Sequence, residues 1–120
     1  MNIEEAVISY LEDALPVPVF ADVPQDRPES LVTVERIGGS LSSVVIDTAE
    51  IAVQSWEKTR FKASQLAGTV DAAMRKLPDE GAEIISAERS AGPYNHPDPD
   101  HSAARYQSTY TVTFYNNQED

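Results

Sequence analysis

With 120 residues, 20 acids against 9 bases and a formal net charge of -11, the chain can form one domain with a real core. The same charge repels phosphate backbones and argues against nucleic-acid binding as a main function. The absence of cysteine removes disulfides, thiolate metal sites and cysteine nucleophiles.

No apolar run approaches the ~20 residues of a membrane span. The start MNIEEAVISYLED is acidic and amphipathic, without the basic start and apolar middle of a signal peptide. A soluble cytoplasmic protein is therefore expected. Ile3, Val7, Tyr10, Leu11 and Ala14 form the stripe of a first helix over residues 3–14, with Asn2 as its N-cap and Glu4 and Glu5 at the positive end of its dipole. Pro16 and Pro18 stop it, and PVPVFADVPQDRPES reads as an ordered connector with at most a short edge strand over 17–20.

LVTVERIG is a strand rich in β-branched residues, and GGSLSS is expected to be the loop of a hairpin whose return strand is VVIDTAEIAVQSW. On the return strand Ile51, Val53 and Ser55 lie on one side, with Ala52, Gln54 and Trp56 on the other. KTRFKASQLAGTVDAAMRKL then forms the main helix. Phe61, Leu66, Ala67, Val70, Ala73, Met74 and Leu77 make its apolar face, Ser55 or Thr59 caps its start and Pro78 ends it. This strand and helix, residues 46–77, must pack together and organise the rest.

A further strand covers residues 82–89 after the turn at Pro78, Asp79 and Gly81. SAGPYNHPDPDHSAAR, with three prolines, is expected to be a long loop, and such loops in small domains are usually functional or mobile. The last strand alternates Tyr106, Tyr110, Val112 and Phe114 against Gln107, Thr109, Thr111, Thr113 and Tyr115, so one face is covered and the other is solvated or meets another subunit. The expected class is α+β: a single domain over 1–120, with a mostly antiparallel sheet of four or five strands and two helices on one face.

The chain carries no phosphate loop, no GxGxxG, no HExxH and no nucleophile elbow, so no catalytic or cofactor-binding residue is assigned. His96, Asp98, Asp100 and His101 bring together imidazoles and carboxylates able to hold a divalent ion. Against this, the prolines extend the segment, no scaffold aims the ligands inward, and a solvated polar loop explains the same residues. Asp98 and Asp100 acting as paired acid and base need a pocket that raises one pKa, and no apolar residue stands near them in sequence.

Trp56, where strand becomes helix, reads as a packing anchor between helix and sheet or as an interface hot spot. Lys58, Arg60 and Lys62 oppose the helix dipole at a cost of about 0.3–1 kcal/mol each. Either Glu50 and Glu57 neutralise them within the monomer, or they meet the acidic surface of an identical neighbour. With the loops around Gly39 and Asp98, and Arg105 at the start of the last strand, they are the candidate contact residues.

VPVFADVPQDRPESLVTVERIGG, IAVQSWEKTRFKASQLAGTVDAAMRKL and GPYNHPDPDHSAARYQSTYTVTF follow one another along the chain. Their succession resembles small phage tail terminator proteins, also called tail completion proteins, of the long-tailed siphophage type. The likeness rests on a P-x-x-R-P segment (Pro24, Arg27, Pro28), a strand ending at Arg36 and Gly38–Gly39, the VQSW run into an alanine-rich helix, and a GP-x-x-x-PDP loop before RYQ. It implies an α+β subunit of a ring, usually a hexamer, at the head-proximal end of the virion tail, assembled in the host cytoplasm. Such a ring caps the tail tube and offers the surface to which a head connector joins, and it lets DNA pass through its lumen. Rival readings are a head completion or stopper protein, a minor tail protein, and a metal-dependent enzyme built on the 96–101 loop.

Overall fold

In the computed structural model, which describes residues 1–41, 43–80 and 83–116, the central strand is β3 (Ile46–Glu57). Its alternation sends Ala49, Ile51 and Val53 into the main core and turns Ala52, Gln54 and Trp56 to the other face. β3 pairs antiparallel with β2 (Leu31–Leu41), from Leu31↔Trp56 to Leu41↔Asp47, and with β5 (Ala104–Tyr115), from Ile46↔Tyr115 to Glu57↔Ala104. β1 (Val19–Phe20) adds in parallel to β2, and β4 (Ile84–Asn95) adds antiparallel to β5. The result is a five-stranded, mostly antiparallel mixed sheet in the order β1-β2-β3-β5-β4, within an α+β fold.

Both long helices cover one face of this sheet. α1 (Ile3–Ala14) starts where Asn2 Oδ1 accepts the Glu5 N–H at 3.0 Å, and it buries Ile3, Val7 and Leu11. α2 (Arg60–Arg75) starts where Thr59 Oγ1 accepts the Lys62 N–H at 3.2 Å, and it buries Leu66, Ala67, Val70 and Met74. Except for Ala67, these side chains share one core with Val32, Val34, Ile51, Val53, Val112 and Phe114 of the sheet, and each fully buried aliphatic or aromatic side chain contributes about 1.5–3 kcal/mol. The Tyr10 hydroxyl donates to the Ala73 carbonyl at 2.7 Å and ties α1 to α2.

One carboxylate lies within this interface. Asp71 on α2 accepts from the Tyr110 hydroxyl at 2.9 Å, from Arg75 Nη2 at 2.9 Å and from Arg89 Nη1 at 3.2 Å, so α2, β4 and β5 share one charged anchor. Burial first, and then the hydrogen bond to the Asp71 carboxylate and its charge, push the Tyr110 hydroxyl above the usual tyrosine range.

Four expectations need correction. Phe61 lies outside the core at 70 % exposure: it sits in the first turn of α2, and the inward stripe begins only at Ala63. The main helix ends at Arg75 rather than at Leu77; α3 (Leu77–Glu80) follows as a separate turn, with Pro78 near its start, where a missing N–H costs little. Gly38 and Gly39 belong to β2 instead of a loop. A register shift between Arg36 and Gly38 leaves Ile37 as the extra residue, Gly38 and Gly39 pair with Glu50 and Ala49, and Gly39 takes φ +155°, where a Cβ would stand 2.3 Å from the Thr48 carbonyl oxygen. The supposed loop from Ser90 is strand as far as Asn95. β4 is an edge strand and accommodates Gly92 and Pro93, joined by a cis peptide, through register shifts on either side of Ala91. The turn residue Gly81 and the strand start at Ala82 lie outside the described residues.

Candidate functional site

Trp56 is the centre of a layer built on the sheet face opposite the helices. Its position on β3 points the indole away from α2, so it is not the helix-to-sheet anchor expected of it. It anchors the connector after β1 and the segment between β4 and β5 instead. The ring is 3 % exposed, with the guanidinium carbons of Arg105 and Arg27 over it at 4.9 and 5.0 Å. The His101 ring meets it edge-on at 5.7 Å. From Trp56 Nε1 a chain of hydrogen bonds crosses the sheet: the indole donates to Thr33 Oγ1 at 3.0 Å, Thr33 to Gln54 Oε1 at 2.7 Å, Gln54 to Gln107 Oε1 at 2.7 Å, and Gln107 to the Tyr94 hydroxyl at 2.8 Å. Four strands are thereby linked on their polar face.

Asp98 holds the second segment down. Its Oδ1 accepts the Asp100 N–H at 2.9 Å, and its Oδ2 lies 2.7 Å from His101 Nδ1 and 3.9 Å from Arg105 Nη1. The backbone N–H of Asp100, then the His101 hydrogen bond, hold the Asp98 carboxyl below the usual carboxylate range. Arg105 Nε donates to the His96 carbonyl at 2.6 Å, closing the segment over the indole.

The possible metal ligands part into different environments. Asp98 and His101 bind each other, Asp100 supplies its backbone N–H, and His96 packs edge-on against Tyr94 at 5.7 Å. Among the described residues no group of three or more such side chains is placed to hold a metal ion.

Lys58, Arg60 and Lys62 lie at the same end of the sheet as Trp56, around the start of α2. Lys58 lines a cleft of about 330 Å³ with Arg27, Pro28, Glu29, Glu57, Ser102 and Ala103. Of the two readings of these cations, direct pairing with Glu50 and Glu57 is not what the side chains do. Glu57 accepts from Ser30 at 2.7 Å and Glu50 from Thr111 at 2.8 Å, and among the described residues none of the three cations makes an ion pair. They flank the exposed Phe61 in sequence and are exposed like it, so the start of α2 presents cations and an aromatic ring on an acidic protein.

Gly39 lies apart from these residues, toward the far end of β2. On either side of it the β2–β3 hairpin exposes Ile37 (54 %) before it and Leu41 (65 %), Val44 (80 %) and Val45 (56 %) after it. Ser43 Oγ accepts the Val45 and Ile46 N–H groups at 3.2 and 3.1 Å and shapes the return into β3. Sequence reasoning named Trp56, Asp98 and Arg105 among the contact residues without bringing them into one layer, and it missed Arg27 as a Trp56 partner. It also missed this apolar arm, whose signal was the Val44–Val45–Ile46 run after a polar turn.

No family model matches the chain, and no curated protein matches it.

Proposed function

We propose that the chain is a structural subunit of a phage tail that acts by contact and not by catalysis. Identical subunits, six in the ring that the resemblance implies, cap the tail tube, end its polymerisation and present the surface to which the head connector is joined. The reading is supported by the likeness of the three quoted segments to tail terminator proteins. The observation that carries it is the pairing, on one small α+β domain, of an exposed apolar hairpin arm with a cationic, aromatic helix start that has no partner within the described residues. Contiguous apolar surface of this kind marks interaction sites. Carboxylates lining the lumen let DNA pass by like-charge repulsion; lysine and arginine lining it in a ring structure would contradict that role.

Co-sedimentation with cognate tail tubes and, separately, with portal complexes tests the assignment. A terminator pellets with tubes. Pelleting with the portal alone overturns the reading in favour of a head completion or stopper protein. Alanine at His96 and Asp100, which keeps the Asp98–His101 and Asp98–Arg105 contacts, leaves phage production intact; loss of production with tube binding retained points to the metal-dependent enzyme.

A further inference from the structure

α2 is charged unlike the rest of the chain. Residues 58–76 hold five of the nine bases, Lys58, Arg60, Lys62, Arg75 and Lys76, and one of the 20 acids, Asp71, which is buried against Tyr110, Arg75 and Arg89. All the other residues together carry 19 acids against four bases. The outward face of the helix is a line of exposed residues, Phe61, Gln65, Gly68, Ala72 and Arg75, at alternating steps of four and three, the spacing by which one helix packs along another. Cations stand at its two ends, Arg60 and Lys62 at the start and Arg75 and Lys76 at the finish, with about 20 Å from Lys62 to Arg75. The middle is small and uncharged. There the Ser64 and Thr69 hydroxyls donate to the Phe61 and Gln65 carbonyls at 2.7 and 3.2 Å, so both are satisfied within the helix.

Gly68 is an independent sign of a partner on this face. Glycine inside a helix costs stability relative to alanine, and a Cβ at this position would meet nothing within 4 Å apart from its chain neighbours and its own helix backbone. The fold of the monomer therefore has no use for glycine here, whereas another backbone approaching closely does. We propose that the outward face of α2 receives an acidic α-helix of a different protein. Its backbone lies close over Gly68 and Ala72, an apolar side chain meets Phe61, and carboxylates about 13 residues apart face the cations at the two ends. A nucleic-acid duplex, charged every ~1.7 Å along its axis, would find no cation between Lys62 and Arg75. A second copy would bring its own charge of -11, and the carboxylates of its α1, Glu4, Glu5, Glu12 and Asp13, span at most nine residues and are too close together to reach both ends. This deepens the proposed contact role of the α2 start, and it rests on that surface being a contact rather than on the presence of a tail.

The test uses the full chain in the cells that naturally produce it, with photo-reactive p-benzoylphenylalanine in place of Gln65, a long side chain on the same line. Mass spectrometry of the light-dependent product is expected to identify a segment of another protein with helical periodicity and carboxylates toward both ends. Gly68→Leu is expected to lower the yield of that product by about tenfold, and Arg60→Glu combined with Lys62→Glu to do the same. The purified Gly68→Leu chain keeps or raises its Tm, because the new side chain enters open space. A product with a second copy or with nucleic acid, a segment without carboxylates, no product, a yield that survives Gly68→Leu, or a lowered Tm in that variant overturns the inference. A product with an acidic helix of a protein that is neither tail nor connector rejects the terminator assignment and leaves the contact standing. Tube binding without such a product does the reverse.

Discussion

Replacing Trp56 with phenylalanine separates what the indole does for the monomer from what it does for assembly. The change removes the Nε1–H donor to Thr33 Oγ1, although Thr33 still donates to Gln54, and it places a smaller ring under the guanidiniums of Arg27 and Arg105. The lost hydrogen bond costs about 1 kcal/mol. A weaker attraction to the two cations adds roughly 0.5 kcal/mol, and the void left beneath the two loops adds about 1 kcal/mol. The total is about 2.5 kcal/mol, which for 120 residues lowers Tm by about 10 °C. Urea unfolding followed by far-UV circular dichroism measures it without relying on the only tryptophan. A loss below about 0.5 kcal/mol, the range of ordinary surface substitutions, would refute the claim that the indole is a packing anchor. Unchanged stability with lost self-association would make Trp56 an interface residue instead.

Asp71→Ala strands the buried Tyr110 hydroxyl and lowers stability by about 2–3 kcal/mol, and adding Tyr110→Phe recovers about 1 kcal/mol of that in the same denaturation assay. Because the folded state raises the Tyr110 pKa above its unfolded value of 10.0, its contribution is fully present below that pH. Stability therefore falls as pH rises beyond it, and Tyr110→Phe removes this part of the alkaline loss in unfolding curves taken at increasing pH. Asp98 has the opposite sign. Its depressed carboxyl stabilises the fold above the unfolded value, near 3.8, and that contribution is lost as pH falls through the lower folded value. Acid titration followed by Trp56 fluorescence shows a transition there that Asp98→Asn shifts or removes. Gly39→Ala drives a Cβ against the Thr48 carbonyl in a backbone conformation that suits glycine and lowers stability by about 1–3 kcal/mol in urea unfolding, with Gly38→Ala, whose Cβ has room, as the mild control.

α1 was legible to its last residue because its signals are local: Asn2 caps it, the stripe is regular and Leu15–Pro16 ends it. The faces of β3 and β5 were legible for the same reason, since alternation of two residues survives whatever packs above them. Phe61 shows the limit of periodicity, which places a side chain on a helix face without saying where the underlying sheet stops. Gly92 and Pro93 read as loop because the sequence does not reveal that β4 is an edge, where such residues are tolerated. The Trp56 layer joins Arg27, Thr33, His101 and Arg105 from three separate stretches of chain, and no local pattern predicts that meeting.

Electron microscopy of cognate tail tubes grown with and without the purified protein tests the proposed function most directly. The account predicts a ring seated on one end of each tube and an end to tube elongation when the protein is present, with both effects lost in Phe61→Glu. Tubes that keep elongating with bare ends in its presence would contradict it.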